Sequence, residues 1–175
     1  MKYELLSWLL KDKEHLKNVL CLWAGEWYEC LLSASFWLNI TAVDKQTSKN
    51  WLYPEYLKNH PKIEFLELDI REFLWNSKQK YDLITMFNVV HLLDRNYATN
   101  DLRIDFFNIL NVNWLVLFSF FLPEDMMKNK FILEDFGFSD YFILIDTKQI
   151  IKEDDHPPLG IHNHYIEYCI LKKRA

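Results

Sequence analysis

Residues 18–27 read Asn-Val-Leu-Cys-Leu-Trp-Ala-Gly-Glu-Trp. An uninterrupted apolar run, NVLCLW, closes on Ala24-Gly25 and passes directly into a helical stretch over 26–36. That pattern describes a strand buried on both faces that turns sharply into a helix. The same unit recurs along the chain. NITAVD (39–44) is a second strand, followed by a weaker helix around 53–60. IEFLELD (63–69) is a third strand, with a short helix at 71–75. YDLITMFN (81–88) is a fourth, with its helix at 100–110. WLVLFSFF (114–121) is a fifth, followed by a predicted helix at 124–136. An amphipathic helix, 2–16, precedes them, with Leu5, Leu6, Leu9, Leu10 and Leu16 at helical spacing.

Strands apolar throughout and alternating with helices predict a parallel sheet covered on both faces, an α/β fold. The last two runs, 141–151 and 165–172, are joined by a polar stretch with Pro157, Pro158 and Gly160 and no helix, so they are expected to pair antiparallel. With no linker or repeat in sight, residues 1–175 are expected to form a single domain. Ligands of such sheets bind beyond the carboxyl ends of the strands, so the polar residues that end the strands are the place to look.

Bulk properties narrow the function. The net charge of −5 argues against a general nucleic-acid binder, which needs a cationic surface; the one basic cluster, Lys172-Lys173-Arg174, reads as a solvated tail. Charges interrupt residues 1–17 every few positions, so no secretory leader is expected, and the longest apolar run is about half of what a membrane helix needs. Cys21, Cys30 and Cys169 stand far apart and read as buried thiols. A soluble cytoplasmic protein is expected. No G-x-S-x-G elbow and no P-loop occurs, so neither serine hydrolysis nor nucleoside triphosphate chemistry has support.

The strand ends resemble those of the class I S-adenosylmethionine (SAM) methyltransferases. In that family the first strand enters a glycine-rich hhxhGxGxG loop, here Val19 to Trp27 with only Gly25 of the three glycines. Acidic residues end the second and third strands, here Asp44 in ITAVD and Asp69 in LELDI, and a loop after the fourth strand, here at Asn88, lines the cofactor. EDFGFS (134–139) resembles the turn before the family's sixth strand. The resemblance spans the chain. It implies a seven-stranded Rossmann-like sheet of order 3-2-1-4-5-7-6 and SAM as cofactor. The cofactor positions it implies are Trp23, Ala24, Gly25, Trp27, Asp44, Lys45, Asp69, Ile70 and Asn88. A strand-terminal carboxylate can accept hydrogen bonds from both ribose hydroxyls, the role implied for Asp44. The plainer reading of Asp44 and Asp69 is that they cap turns.

Trp23 and Trp27 stand where the family has glycine, which that loop needs because its backbone dihedrals and the close approach of cofactor leave no room for a Cβ. Trp37, between a helix and a strand, sits where a left-handed glycine is expected. Trp75 ends a short helix, and Trp114 opens the fifth strand where the family turns with glycine. A chain of this length would hold roughly 12 glycines. This one has 3, and its 7 tryptophans would make up most of the deficit. Two accounts stand: a gene that uses UGA for glycine, read here as tryptophan, or a methyltransferase-like fold whose pocket is plugged by indoles.

His162 and His164 alternate on an extended segment and share a face; His91 follows Asn88. All three are candidate acid–base or acceptor-facing residues, or else solvated hairpin and turn residues. No cysteine completes a zinc site, and no metal is expected. Methyl transfer depends chiefly on aligning a nucleophile with the sulfonium, so few catalytic groups are obligatory. The compact chain suggests a small-molecule acceptor, with no nucleic-acid or membrane partner. The alternative is a catalytically silent binding or scaffold module.

Overall fold

The computed structural model describes residues 2–11, 15–22, 28–45, 59–126, 129–156 and 160–175. In order these form α1 (Lys2–Lys11), β1 (Asn18–Leu22), α2 (Tyr28–Ser35), β2 (Asn39–Asp44), β3 (Ile63–Glu67), α3 (Ile70–Asn76), β4 (Tyr81–Met86), α4 (Arg95–Asn100), α5 (Leu102–Ile109), β5 (Leu110–Phe121), β6 (Phe142–His156) and β7 (Gly160–Lys173). One seven-stranded sheet runs β3-β2-β1-β4-β5-β7-β6. β1 to β5 pair in parallel, and β7 lies antiparallel between β5 and β6. The order and the antiparallel last strand are those expected.

The apolar runs explain the two-faced burial. Val19 and Cys21 point into one core with Leu6, Leu9 and Leu10 of α1 and Cys30 of α2. Leu20 and Leu22 point into the other with Phe73 of α3 and Leu102 and Phe106 of α5. All four of these strand residues are buried, which is why the strand shows no polar alternation. At the amino-terminal edge Asp82 receives the backbone N–H groups of Lys17 and Asn18 at 2.9 and 3.0 Å and the Asn111 amide at 2.8 Å. That edge is closed by structure and leaves the carboxyl edge for ligands.

Several expectations need correction. The stretch 124–136 is not an α-helix: the described part is a turn near 123–126 and a 3-10 turn at Leu133–Phe136. Tertiary bonds take its backbone instead, with Phe131 N–H on the Phe121 carbonyl, while Phe131, Phe136 and Phe138 bury themselves against Phe118 and Phe120. The helix expected over 100–110 is two, broken at Asp101. The final strands are longer than expected, so the polar joint is largely strand. Asp69 does not end β3; it caps α3. The left-handed residue before the body of β5 is Asn113 (φ 67°), not Trp114, which packs against the core. The extra residues 111–114 are absorbed where the β4–β5 register shifts. The helix expected around 53–60 lies, but for its last two residues, outside the described residues.

Candidate functional site

β2 ends in Asp44, 2% exposed. Leu68 N–H binds the Asp44 carbonyl at 3.1 Å, which brings the end of β3 and Asp69 alongside. Asp69 Oδ1 accepts the Arg71 N–H at 2.9 Å and its Nε at 3.2 Å, and Lys45 Nζ lies 3.5 Å from Oδ2. Burial opposes ionisation of Asp69, but these Arg71 bonds and the two cations outweigh it and hold the carboxyl below the usual range. Beside it a cleft of about 170 Å3 is lined by Lys45, Asp69, Ile70, Arg71, Val89, Leu92, Leu93 and Asp94. Apolar walls between carboxylates suit a flat heteroaromatic group with amine donors at its edge.

After β4 the chain turns at Asn88, in the left-handed region at φ 55°. Its N–H donates to Ser119 Oγ at 2.9 Å, and Ser119 Oγ donates back to Asn88 Oδ1 at 3.1 Å. The Asn88 side chain thus latches β4 to the fully buried Ser119 of β5; it does not line the cleft.

A second cluster lies on the same edge. His91, in the 3-10 turn Val90–Leu92, packs its ring edge-on to Phe121 at 4.7 Å, and the His164 ring lies 5.1 Å from the same Phe121 ring. Desolvation pulls the His91 imidazole down to about 4, with His164 adding to that and Asp125 opposing it. His91 Nδ1 is buried and has no hydrogen-bond partner among the described residues. His164 Nδ1 sits 3.1 Å from Asp125 Oδ2, and its Nε2 sits 3.1 Å from His162 Nε2. The three histidines singled out in the sequence, from two distant segments, are therefore neighbours.

Asp125 is the residue that sequence reasoning missed. It falls within the stretch expected to be helical, where an aspartate passes for a solvated first-turn residue; only the tertiary structure buries it, at 1% exposure, under His164. Trp23, Ala24, Gly25 and Trp27 lie outside the described residues. Trp37 is described, at φ 61° and 80% exposed, in the left-handed conformation expected of a glycine there. Trp75 is 85% exposed in the last turn of α3, and its backbone makes no such demand.

No family model matches the sequence, and no curated protein matches it. Solved structures do. TehB from Haemophilus influenzae superposes with a TM-score of 0.75 at 15% identity over 97% of this chain, which spans 61% of TehB. The N-methyltransferase NodS from Bradyrhizobium japonicum WM9 gives 0.73 at 12% identity, covering 99% of this chain and 95% of NodS. The 1,6-didemethyltoxoflavin N1-methyltransferase of Burkholderia thailandensis, solved with 1,6-didemethyltoxoflavin and S-adenosylhomocysteine, gives 0.71 at 14% identity, over 99% and 78% of the two chains. The fold is the class I methyltransferase fold. In the methyltransferase fold of this chain, both clusters sit at the carboxyl edge of the sheet. The Lys45–Asp69 cleft lies over the ends of β2 and β3, and the histidine cluster lies beside β5 and β7. Among the described residues no helix is long and apolar enough to cross a membrane, and no group of three or more side chains is placed to hold a metal.

Proposed function

We propose that this chain transfers a methyl group from SAM to a small-molecule acceptor. The observation that carries the reading is the arrangement at the carboxyl edge: buried Asp44 and the cleft of Lys45, Asp69 and Ile70 on one side of the switch point, and a buried acid–base cluster on the other. When bound, SAM supplies an electrophilic methyl on a sulfonium. Asp44 would accept the ribose hydroxyls and Asp69 and Ile70 would border the adenine, while Asn88 holds the β4 loop against β5. The fold neighbours solved with S-adenosylhomocysteine support the cofactor. The three free, buried cysteines fit a cytosolic setting.

We further read positions 23 and 27 as glycines decoded from UGA. Trp37 supports this: an indole 80% exposed on a left-handed backbone is a poor use of tryptophan and an ordinary place for glycine. Calorimetric titration with SAM and S-adenosylhomocysteine, on the chain as written and on one with glycine at 23 and 27, tests both readings. Binding only by the glycine form is expected. Binding by neither would favour the second reading, a catalytically silent module. Ordinary UGG codons at 23 and 27 would sink the recoding.

A further inference from the structure

Alternate residues of a strand share a face, and on the β6–β7 hairpin Thr147, Gln149 and Ile151 stand opposite Cys169, Glu167 and Tyr165. Among the described residues the segment after β5 lays no α-helix over that face; it buries Phe131 and Phe136 in the core instead. What remains is a groove of about 850 Å3, bounded by the hairpin, by residues 122–124 just after β5 and by residues 132–134. Leu122, Leu133, Leu144 and Ile151 make its walls apolar, and Ile151 is 65% exposed. An exposed apolar cluster set among polar groups marks a binding surface. Its polar groups are of one sign. Glu167 is 8% exposed, although Thr147 and Gln149 beside it are exposed. Its Oε1 accepts the Thr147 hydroxyl at 2.6 Å and its Oε2 accepts the Gln149 amide at 3.2 Å. Two neutral donors fill about half of the lone-pair sites of a carboxylate. Buried acids are ordinarily paired with a cation. Here the other charged residues of the groove are Glu124 and Glu134, and no lysine, arginine or histidine is among its described lining residues.

We propose that this groove binds a small organic cation: an apolar chain or ring that ends in an ammonium or amidinium group. The N–H groups of that head complete the hydrogen bonding of Glu167, and the leucines and isoleucines hold the body. The open lone pairs of Glu167 accept hydrogen bonds, so a head with N–H donors is preferred over a quaternary one. Three carboxyl groups turn anions away, which excludes nucleotides and fatty acids from the same place. The volume is that of a small-molecule pocket. A second copy of the chain, with a net charge of −5, does not supply the complementary charge. The site stands on the groove alone and is independent of the methyl-transfer reading.

The chain with 13C-labelled isoleucine methyl groups tests this directly, because Ile132, Ile150 and Ile151 line the groove while Ile40 and Ile63 lie at the opposite end of the sheet. Phenylbutylamine should shift the first three saturably and leave the other two in place. Phenylbutanol, the uncharged counterpart, should bind about ten- to a hundredfold more weakly, the loss of one charge-assisted hydrogen bond. Phenylbutyrate should not bind. Glu167→Gln, which keeps the shape and removes the charge, should weaken the amine by the same factor and leave the alcohol unchanged. Ile151→Lys, at an exposed position, sets a cation of the chain's own in the groove and should abolish amine binding. Parent-like shifts of Ile40 and Ile63 show that both variants fold. Failure of the amine to bind the parent, an alcohol that binds as tightly, or unchanged amine affinity in Glu167→Gln would each overturn the proposal. So would shifts of the same methyl groups by a peptide of alternating lysine and leucine but not by the amine, which would make the groove a protein-docking surface.

Discussion

Asp44 and Asp69 were alike as sequence, each an acid at the end of an apolar run, and the structure separates them. Asp69 is engaged by the start of α3 and by Arg71, whereas Asp44 is enclosed at the end of β2. In the glycine-restored chain Asp44→Ala should weaken SAM binding on the order of a hundredfold, the loss of two charge-assisted bonds of roughly 1.5–3 kcal/mol each. Equal affinity in titration calorimetry would remove the cofactor from this strand end. Asp69→Ala should cost less affinity but about 1 kcal/mol of stability with the lost cap, and Asp69→Asn, which still caps, should recover the stability. Trp37 offers a test at the same scale. Its indole is mostly exposed and its backbone left-handed, so Trp37→Gly should stabilise the protein by about 1 kcal/mol, read from the urea midpoint. A destabilised variant would show that the exposed indole contributes more than its backbone costs. The aspartates were legible because strand-end acids have a spacing; Asp125 was not, because nothing in its neighbours along the chain separates a solvated acid from a buried one.

Elements are joined here by a few side chains whose loss is measurable. The Asn88–Ser119 exchange ties the β4 loop to β5 in the interior. Ser119→Ala would strip the Asn88 N–H of its acceptor, and a loss of about 1–3 kcal/mol in unfolding free energy is expected. Asn88→Gly keeps the left-handed turn and the N–H bond to Ser119 and should cost less. Identical stability of Ser119→Ala and the parent would mean that the latch holds nothing. The strands were readable at this scale, since period and length are local properties. The segment after β5 was misread for a physical reason: the Phe131 N–H is claimed by the Phe121 carbonyl and the Lys130 carbonyl by Arg95, and its phenylalanines serve a cluster with Phe118 and Phe120 rather than a helix face.

At the scale of the whole molecule, the half-buried His91 links stability to pH. Its folded value lies near 4, below the 6.5 of the free side chain. Above about 6.5 the ring is neutral in both states and costs nothing. As pH falls from there toward 4, the unfolded chain takes up the proton first, so stability declines by up to about 3 kcal/mol across that window. His91→Phe should flatten this limb in urea titrations at successive pH values; an unchanged limb would place the acid sensitivity elsewhere. What the sequence determined by itself was the architecture: apolar runs at strand length, helices between them and a helix-free final joint specify a parallel sheet with a hairpin, because periodicity is written between near neighbours. The tertiary structure alone decided the chemistry of the edge. Inserting β7 between β5 and β6 carries His162 and His164 to Asp125, 39 residues before His164 in the chain, and to His91 beyond Phe121. No local pattern encodes that meeting, since it is the packing of the sheet that encloses Asp125 and brings the two imidazoles to within 3.1 Å of each other.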